Sequence, residues 1–290
     1  MRLQRLCFLI LPLLALPAYA TSITLGSASS FGFLGGTLSN TGTSIVTGNV
    51  GAMITVSGFY PTGTAIGTVY PAPSNPTVTA AYNDVFGPTG TFITAAGLTP
   101  TGTFTNAMNQ TFLGGNVYAS TGTISTVTGT NLTFDAQNDS SALFIIQIDG
   151  TLTVNGSMTF DLINGAQADN IFWIIEGSTD PVAPADATIS IGSTGAITFD
   201  GNIIAGDSFT MSAGSGGSGV LAGTINGCVF ARNANTLAGQ TNIGGCANTS
   251  AGGTGPTGGG GSVVPEPASM VLLGSGLMAL AGFVRRKRRS

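Results

Sequence analysis

Carboxylates are the main candidates for acid–base chemistry in this sequence, because the chain contains no histidine. Asp161 and Asp200 end two similar segments, 158–161 and 197–200, and could form the paired carboxylates of a glycosidase. An Asp at the end of a strand is more commonly a turn residue. We therefore expect no catalytic site.

A metal site is the second possibility that carboxylates offer. Asp135, Asn138 and Asp139 supply oxygen atoms of the kind that Ca²⁺ prefers. Neither an EF-hand loop nor a Gly/Asp nonapeptide repeat accompanies them. The sequence therefore predicts a non-enzymatic protein with neither metal nor cofactor.

Hydroxyl side chains recur with a regular pattern and offer a different chemistry. Four tetrads share the order small polar, apolar, Thr or Ser, apolar; they are 131–134, 151–154, 188–191 and 208–211. A repeating unit of about twenty residues with several short strands predicts a β-solenoid, with a β-sandwich of the same composition as the alternative. In a solenoid the hydroxyls of Thr153, Ser190 and Thr210 would stack about 4.8 Å apart on an outer wall. Leu152, Ile189 and Phe209 would then face the interior.

The rest of the pattern predicts short strands and one helix. Apolar and small polar residues alternate with period two, as in strands with one buried face. Residues 77–86 form the helix candidate, which 74–76 can start and Gly87-Pro88 can end.

Basic residues are confined almost entirely to the two ends of the chain. Of eight Lys and Arg residues, only Arg232 lies between residues 6 and 284. Neutralising phosphates requires Lys and Arg, so the sequence excludes nucleic acid as a partner.

The N-terminus has the features of a secretory signal. Arg2 and Arg5 precede an apolar run, and residues 18–20 are an A-x-A cleavage site. We expect cleavage after Ala20, with an uncleaved anchor as the alternative.

The C-terminus predicts sorting at a membrane. Residues 251–264 form a Gly/Ser/Thr-rich linker, and an apolar segment, 270–284, is followed by an Arg-rich tail. Together with Pro265, Glu266 and Pro267, this order resembles the PEP-CTERM sorting signal over residues 265–290. The resemblance implies processing by an exosortase-type membrane transpeptidase and export to the cell surface or extracellular matrix. A plain membrane anchor is the alternative. In either case we expect the protein to contact the membrane only through this C-terminal segment.

Two cysteines remain once Cys7 is removed with the signal peptide. Cys228 and Cys246 form an even pair in an oxidising compartment, which predicts a disulfide. Closing that loop would stabilise the fold by about 3 kcal/mol. Two buried thiols are the alternative.

Several sequence blocks between residues 25 and 243 occur in a characteristic order. They are LGSASSFGFLGGT at 25–37, NTG at 40–42, VTGNVG at 46–51, TAAYND at 79–84, LTFDAQ at 132–137, FIIQI at 144–148, LINGAQ at 162–167, NIFW at 170–173, GNIIA at 201–205 and ARN at 231–233. In this order the blocks resemble the microbial ice-binding β-solenoid family. The resemblance implies a mainly β fold: a right-handed solenoid of triangular cross-section over residues 21–250, with one α-helix packed alongside. It also implies that the N-terminal coil lies beside the C-terminal coil.

Ice-active members of that family tend to carry Thr-Ala/Gly-x-Thr/Asn on a flat face. Residues 128–131 fit this pattern in full, 41–44 end in Ser, and 194–197 fail at the last position. The ice-contact residues implied by the resemblance are Thr41, Thr43, Ser44, Thr128, Thr130, Asn131 and Thr194. Because the array is eroded, we expect weak adsorption to ice, such as mild inhibition of recrystallisation. The alternative is a structural or adhesive matrix protein that keeps the fold without ice activity.

Overall fold

The computed structural model describes residues 23–59, 63–73, 75–177, 188–193, 197–213 and 221–246. These residues lie within one compact unit, Ser22–Val263. The predicted signal peptide, linker and sorting segment lie outside the described residues.

A 12-stranded parallel sheet forms two of the three walls of the fold. Three long strands run through both walls, namely β1 (Phe31–Asn40), β3 (Asn49–Ser57) and β19 (Val229–Ala238). One wall, the helix wall, continues through β16 (Asn202–Ala205), β13 (Ile171–Ile175), β10 (Phe144–Ile148), β7 (Asn116–Ala119) and β5 (Gly102–Thr103). The other, the hydroxyl wall, continues through β17 (Ser208–Ala213), β14 (Thr188–Ser193), β11 (Leu152–Asn155) and β8 (Ile124–Thr126).

The third wall consists of two further parallel sheets. One contains β15 (Ile197–Asp200), β18 (Leu221–Asn226), β20 (Gln240–Ile243), β2 (Ile45–Thr47) and β4 (Thr64–Ile66). The other contains β12 (Met158–Ile163), β9 (Thr130–Asp135) and β6 (Asn109–Leu113).

The chain visits the three walls in turn, once per coil. Strands β7, β8 and β9 make one coil, and β10, β11 and β12 make the next. Each strand pairs in parallel with its equivalent in the neighbouring coil, for example β10 with β13 and β11 with β14. This arrangement confirms the prediction of a mainly β solenoid.

Three of the four tetrads lie in register on the hydroxyl wall, as expected. Thr153 pairs with Ser190 and Ser190 with Thr210. The fourth, 131–134, was wrongly grouped with them, because it lies on β9 in the third wall. Coils of this protein differ in length, so a fixed spacing does not identify equivalent strands. The equivalent strand in that coil is β8.

The last coil of the chain lies between the first two coils and all the others. We call residues 229–243, which contain β19 and β20, the closing coil. Strand β19 pairs with β1 on one side and with β16 and β17 on the other. Strand β20 pairs with β2 and β18. The N-terminal and C-terminal coils are therefore neighbours, as the family resemblance implied.

Apolar side chains fill the space between the three walls. Leu152, Ile189 and Phe209 are at most 1% exposed, as the alternating pattern predicts. Trp173 is also buried, and its indole N–H donates to the Asp200 carbonyl at 2.9 Å. Each fully buried Leu, Ile or Phe contributes about 1.5–3 kcal/mol, so stacking the coils is the main source of stability.

Two helices pack on the outer face of the helix wall. α1 (Pro76–Phe86) begins where Asn75 accepts a hydrogen bond from the Thr77 N–H at 3.0 Å, and it ends at Gly87. The prediction for this helix is therefore confirmed to within one residue. A second helix, α2 (Thr91–Ala96), has only six residues and was not predicted from the sequence. No helix in the described ranges is both long and apolar enough to cross a bilayer.

Candidate functional site

A single row of hydroxyl side chains runs across the hydroxyl wall, one from each of seven successive coils. Strand register places them side by side, and every member is Ser or Thr. We call it the central row; in order, it contains Ser57, Ser39, Thr236, Thr210, Ser190, Thr153 and Ser125. Neighbouring strands are about 4.8 Å apart, so the row repeats at that interval. All seven side chains are half-buried or exposed.

A second row lies two residues earlier on each strand, about 6.8 Å away. Its paired members are Thr55, Thr37, Ala234, Ser208 and Thr188. The row continues to Thr151, whose hydroxyl accepts a hydrogen bond from the Thr188 hydroxyl at 3.3 Å. The two rows form a mesh of small polar groups that Ala234 interrupts at one point.

The hydroxyl wall differs from the third wall in charge. The strand segments that form the hydroxyl wall contain no charged residue. On the third wall, by contrast, the exposed Asp161 accepts a hydrogen bond from the Asn131 amide at 2.8 Å, and Ile66 is 62% exposed. Small uncharged hydroxyls at fixed spacing can hold surface water in a regular array, whereas a carboxylate imposes its own hydration. The hydroxyl wall is therefore the better candidate for contact with an ordered surface.

Residues 41–44, predicted from the family motif, lie in the turn that joins β1 to β2. Thr41 and Thr43 are exposed there. Ser44 is fully buried, and its hydroxyl donates to the Asn40 side-chain oxygen at 3.1 Å. The prediction that Ser44 contacts ice is therefore wrong, because its side chain stabilises the turn from inside.

Residues 128–131 lie at the equivalent turn, between β8 and β9. Thr128 is exposed, but Thr130 is only 3% exposed and its hydroxyl donates to the Val127 carbonyl at 2.8 Å. This corrects the prediction for Thr130. Asn131 belongs to the third wall, where its amide bonds Asp161. Thr194 lies outside the described residues.

The structure does not join the motif residues into one patch. Turns 41–44 and 128–131 are five coil steps apart, or about 24 Å. The central row spans the distance between these two turns. The sequence predicted only three of its members, Thr153, Ser190 and Thr210. Segments 37–39, 55–57 and 123–125 each read Thr, apolar, Ser, so the tetrad pattern itself contained the signal for Ser39, Ser57 and Ser125.

Asp161 and Asp200, the two carboxylates considered as a pair, have different surroundings in the structure. Asp161 bonds Asn131, whereas Asp200 is buried and accepts from the Asn226 amide at 2.6 Å. Burial raises the pKa of Asp200, and the Asn226 hydrogen bond lowers it by a smaller amount. Within the described residues, no three Cys, Asp or Glu side chains are arranged to hold a metal ion.

The surroundings of two other carboxylic acids raise their pKa values and so favour the neutral form. Burial, with a smaller contribution from nearby Asp149, raises the pKa of Glu176 to about 7. Burial alone raises the pKa of Asp169 to about 6. Asp169 precedes strand β13 of the helix wall, and Glu176 follows it.

A disulfide joins Cys228 to Cys246, whose Cα atoms are 4.5 Å apart. Cys228 is fully buried beside β19, and Cys246 is the last described residue. The bond thus ties the described C-terminal end of the chain into the core.

A family model described as ice-binding-like matches residues 34–243. The chain belongs to the ice-binding-like family. A second model, the PEP-CTERM protein-sorting motif, matches residues 263–289. The sorting motif indicates export and sorting to the cell surface.

Relatives of the ice-binding-like chain include proteins of known structure. An ice-binding protein of Nostoc sp. (strain HG1) is 31% identical over 279 residues, covering 93% of this chain and 90% of that protein. The crystal structure of an ice-binding protein from the Antarctic ascomycete Antarctomyces psychrotrophicus has a TM-score of 0.61 and 27% identity, covering 76% of this chain and 97% of that one. An ice-binding protein from an Antarctic biological consortium gives the same TM-score at 32% identity, covering 76% and 90%. The family and these neighbours are ice-binding proteins, which are not enzymes.

Proposed function

We propose that this protein adsorbs weakly to ice through the hydroxyl wall. The observation that supports the proposal most directly is the central row, in which seven successive coils each present a Ser or Thr in register. Family membership supplies the class of ligand, since the relatives above are named for binding ice.

The composition of the central row argues for weak rather than strong adsorption. A Thr presents a methyl and a hydroxyl in a restricted rotamer, so it combines an apolar and a hydrogen-bonding contact. Ser57, Ser39, Ser190 and Ser125 lack that methyl group. The apolar half of the mesh is therefore incomplete, and its hydroxyls rotate more freely.

Steric blocking of the central row is the first prediction. Thr210→Tyr places a large ring in the middle of the row and should abolish inhibition of ice recrystallisation by the purified full chain. The matched control is Thr198→Tyr, at an exposed position of the third wall; it should retain the wild-type activity. Equal losses in the two variants would remove the hydroxyl wall from consideration.

A structural or adhesive role in the extracellular matrix is the alternative, and the sorting motif favours it. The two functions differ in one measurement. If the wild-type chain at high micromolar concentration produces no thermal hysteresis and does not inhibit ice recrystallisation, ice binding is excluded and the matrix role is retained.

Processing at both ends completes the proposal. We propose a signal peptide at 1–20, a mature domain at 21–250, a linker at 251–264 and a sorting segment at 265–290 removed by an exosortase-type transpeptidase. Mass spectrometry of the chain recovered from the host cell surface should show Thr21 as the first residue and loss of the Arg-rich tail. A chain that retains residues 285–289 would instead be a membrane-anchored protein.

A further inference from the structure

The closing coil joins the first two coils of the solenoid to the later coils. Among the described strands, β19 alone connects β1 and β3 to the later coils in the 12-stranded sheet, and β20 alone connects β2 and β4 to them in the third wall. If this coil were pulled out, both sheets would divide at that position. The central row would divide too, since Thr236 of the closing coil separates Ser39 from Thr210.

The disulfide encloses the whole closing coil in a covalent loop. Cys228 immediately precedes β19, and Cys246 follows β20 by three residues. The sequence beyond Cys246 leads to the sorting motif at 263–289. Tension applied from the C-terminal side therefore reaches Cys246 before any of the described strands.

Cys228 is held more firmly than the residue to which it is bonded. It is fully buried, its N–H donates to the Asn202 side-chain oxygen at 3.2 Å, and its carbonyl accepts from the Ile203 N–H at 2.8 Å. Cys246, by contrast, is only partly buried. Force transferred across the disulfide thus arrives at a residue that is hydrogen-bonded into strand β16.

We propose that the Cys228–Cys246 disulfide is a mechanical bypass, which carries tension around the closing coil when the protein is held by its C-terminal side. Without the bond, tension pulls β20 and β19 from their partners, and the whole closing coil is released in one event. With the bond, the first strand under tension is β18, and the closing coil stays in place. The bypass keeps the hydroxyl wall whole in a tethered molecule; this role rests on the proposed function, although the mechanical property does not.

Single-molecule pulling on the full chain tests the bypass. One handle is attached at the C-terminus and the other at an azide-bearing residue replacing Ser125, which is exposed on the hydroxyl wall. All chains carry Cys7→Ser, so that only two thiols remain. After reduction, the first event should be a step of about 60 Å, because Cys228 and Cys246 have a sequence separation of 18 and each position adds about 3.3–3.6 Å. Oxidised chains should lack this step and begin to unfold at higher force.

Two outcomes overturn the proposal. One is an equal force for the first event in oxidised and reduced chains, and the other is a first event in the reduced chain that is not the 60 Å step. Cys246→Ser provides a variant that does not depend on a reducing agent, and its partly buried position lets the fold tolerate the change better than replacement of Cys228. It should behave like the reduced chain.

Adhesion to ice separates this inference from the proposed function. Beads coated with the chain through its C-terminus should be held on ice under flow when oxidised and lost when reduced, whereas free chains should inhibit recrystallisation equally in both states. If even the oxidised beads fail to adhere, ice binding is wrong, and the pulling result alone still decides the bypass. If reduction leaves adhesion unchanged, the bypass does not protect the wall.

Discussion

Individual side chains on the hydroxyl wall determine how well it can match an ordered surface. Ser190 lies between Thr153 and Thr210 in the central row, so it is a gap in an otherwise methylated stretch. Its neighbours on the same strand, Ile189 and Ile191, face the core and are each 1% exposed. A change at Ser190 therefore alters the outer surface without altering the packing below it.

Restoring the missing methyl group should increase activity. Ser190→Thr gives four adjacent Thr residues in the central row and adds a β-branched side chain, which strands favour. We expect a lower protein concentration to be needed for inhibition of ice recrystallisation. Ser140→Thr, at an exposed loop position, is the control and should leave that concentration unchanged. If the two variants inhibit equally, apolar contact at the central row is unimportant.

Elements are positioned by polar contacts as well as by apolar packing. The carbonyl groups at the end of α2 lack hydrogen-bond donors within the helix. The side-chain amide of Gln147, on β10, donates to them instead. This side chain is buried, and its amide donates to the Ala95 carbonyl at 2.8 Å and to the Leu98 carbonyl at 2.9 Å. A helix of six residues thus depends on a strand of the solenoid for its C-terminal cap.

Removal of that cap should destabilise the fold without affecting the hydroxyl wall. Gln147→Leu preserves the volume but removes the amide hydrogen bonds to the carbonyl groups at the end of α2, at a cost of about 1–3 kcal/mol. Chemical denaturation should detect this loss, while recrystallisation inhibition in the cold is retained. Gln167→Leu, which removes a single bond to the Gly165 carbonyl, should cost less. Equal costs would mean that Gln147 does not hold α2.

For the molecule as a whole, buried carboxylic acids link stability to pH. The pKa of Glu176 is raised from 4.5 in an unperturbed chain to about 7, mainly by burial. Between these values the folded protein binds more protons than the unfolded chain. The free energy of unfolding therefore falls as the pH rises from about 4.5 to 7. Asp169 acts in the same direction, since its pKa is raised to about 6.

Glu176→Gln should remove part of this dependence. We expect the variant to be more stable than the wild type at pH 8, by about 1–2 kcal/mol once solvent screening is allowed for, and to differ little at pH 4. Thermal unfolding at the two pH values measures the effect. Asp139→Asn is the control, because hydrogen bonds from Ser141 lower the pKa of Asp139 and give it the opposite dependence. If the stability of Glu176→Gln depends on pH as strongly as that of the wild type, the pKa of Glu176 is not raised in the folded protein.

Local features of the sequence were sufficient to predict the conformation of most segments. Alternation with period two identifies which residues of a strand face inward, so Leu152, Ile189 and Phe209 were correctly predicted to be buried. Asn75 and Gly87 delimit α1 because capping depends on residues next to one another in the chain. The family resemblance added the kind of ligand and the proximity of the two terminal coils.

Contacts between distant parts of the chain were decided only by the tertiary structure. The members of the central row come from segments as far apart as Ser39 and Thr236, and their alignment depends on which strand edges pair. Loop lengths vary from coil to coil, so a fixed spacing assigned 131–134 to the wrong wall. The motif likewise could not show that Ser44 and Thr130 turn inward, because their exposure depends on carbonyl and amide groups that only the folded turns bring within reach. The sequence thus determines the strands and their inward faces, because these are local properties, whereas the central row exists only after seven coils have stacked.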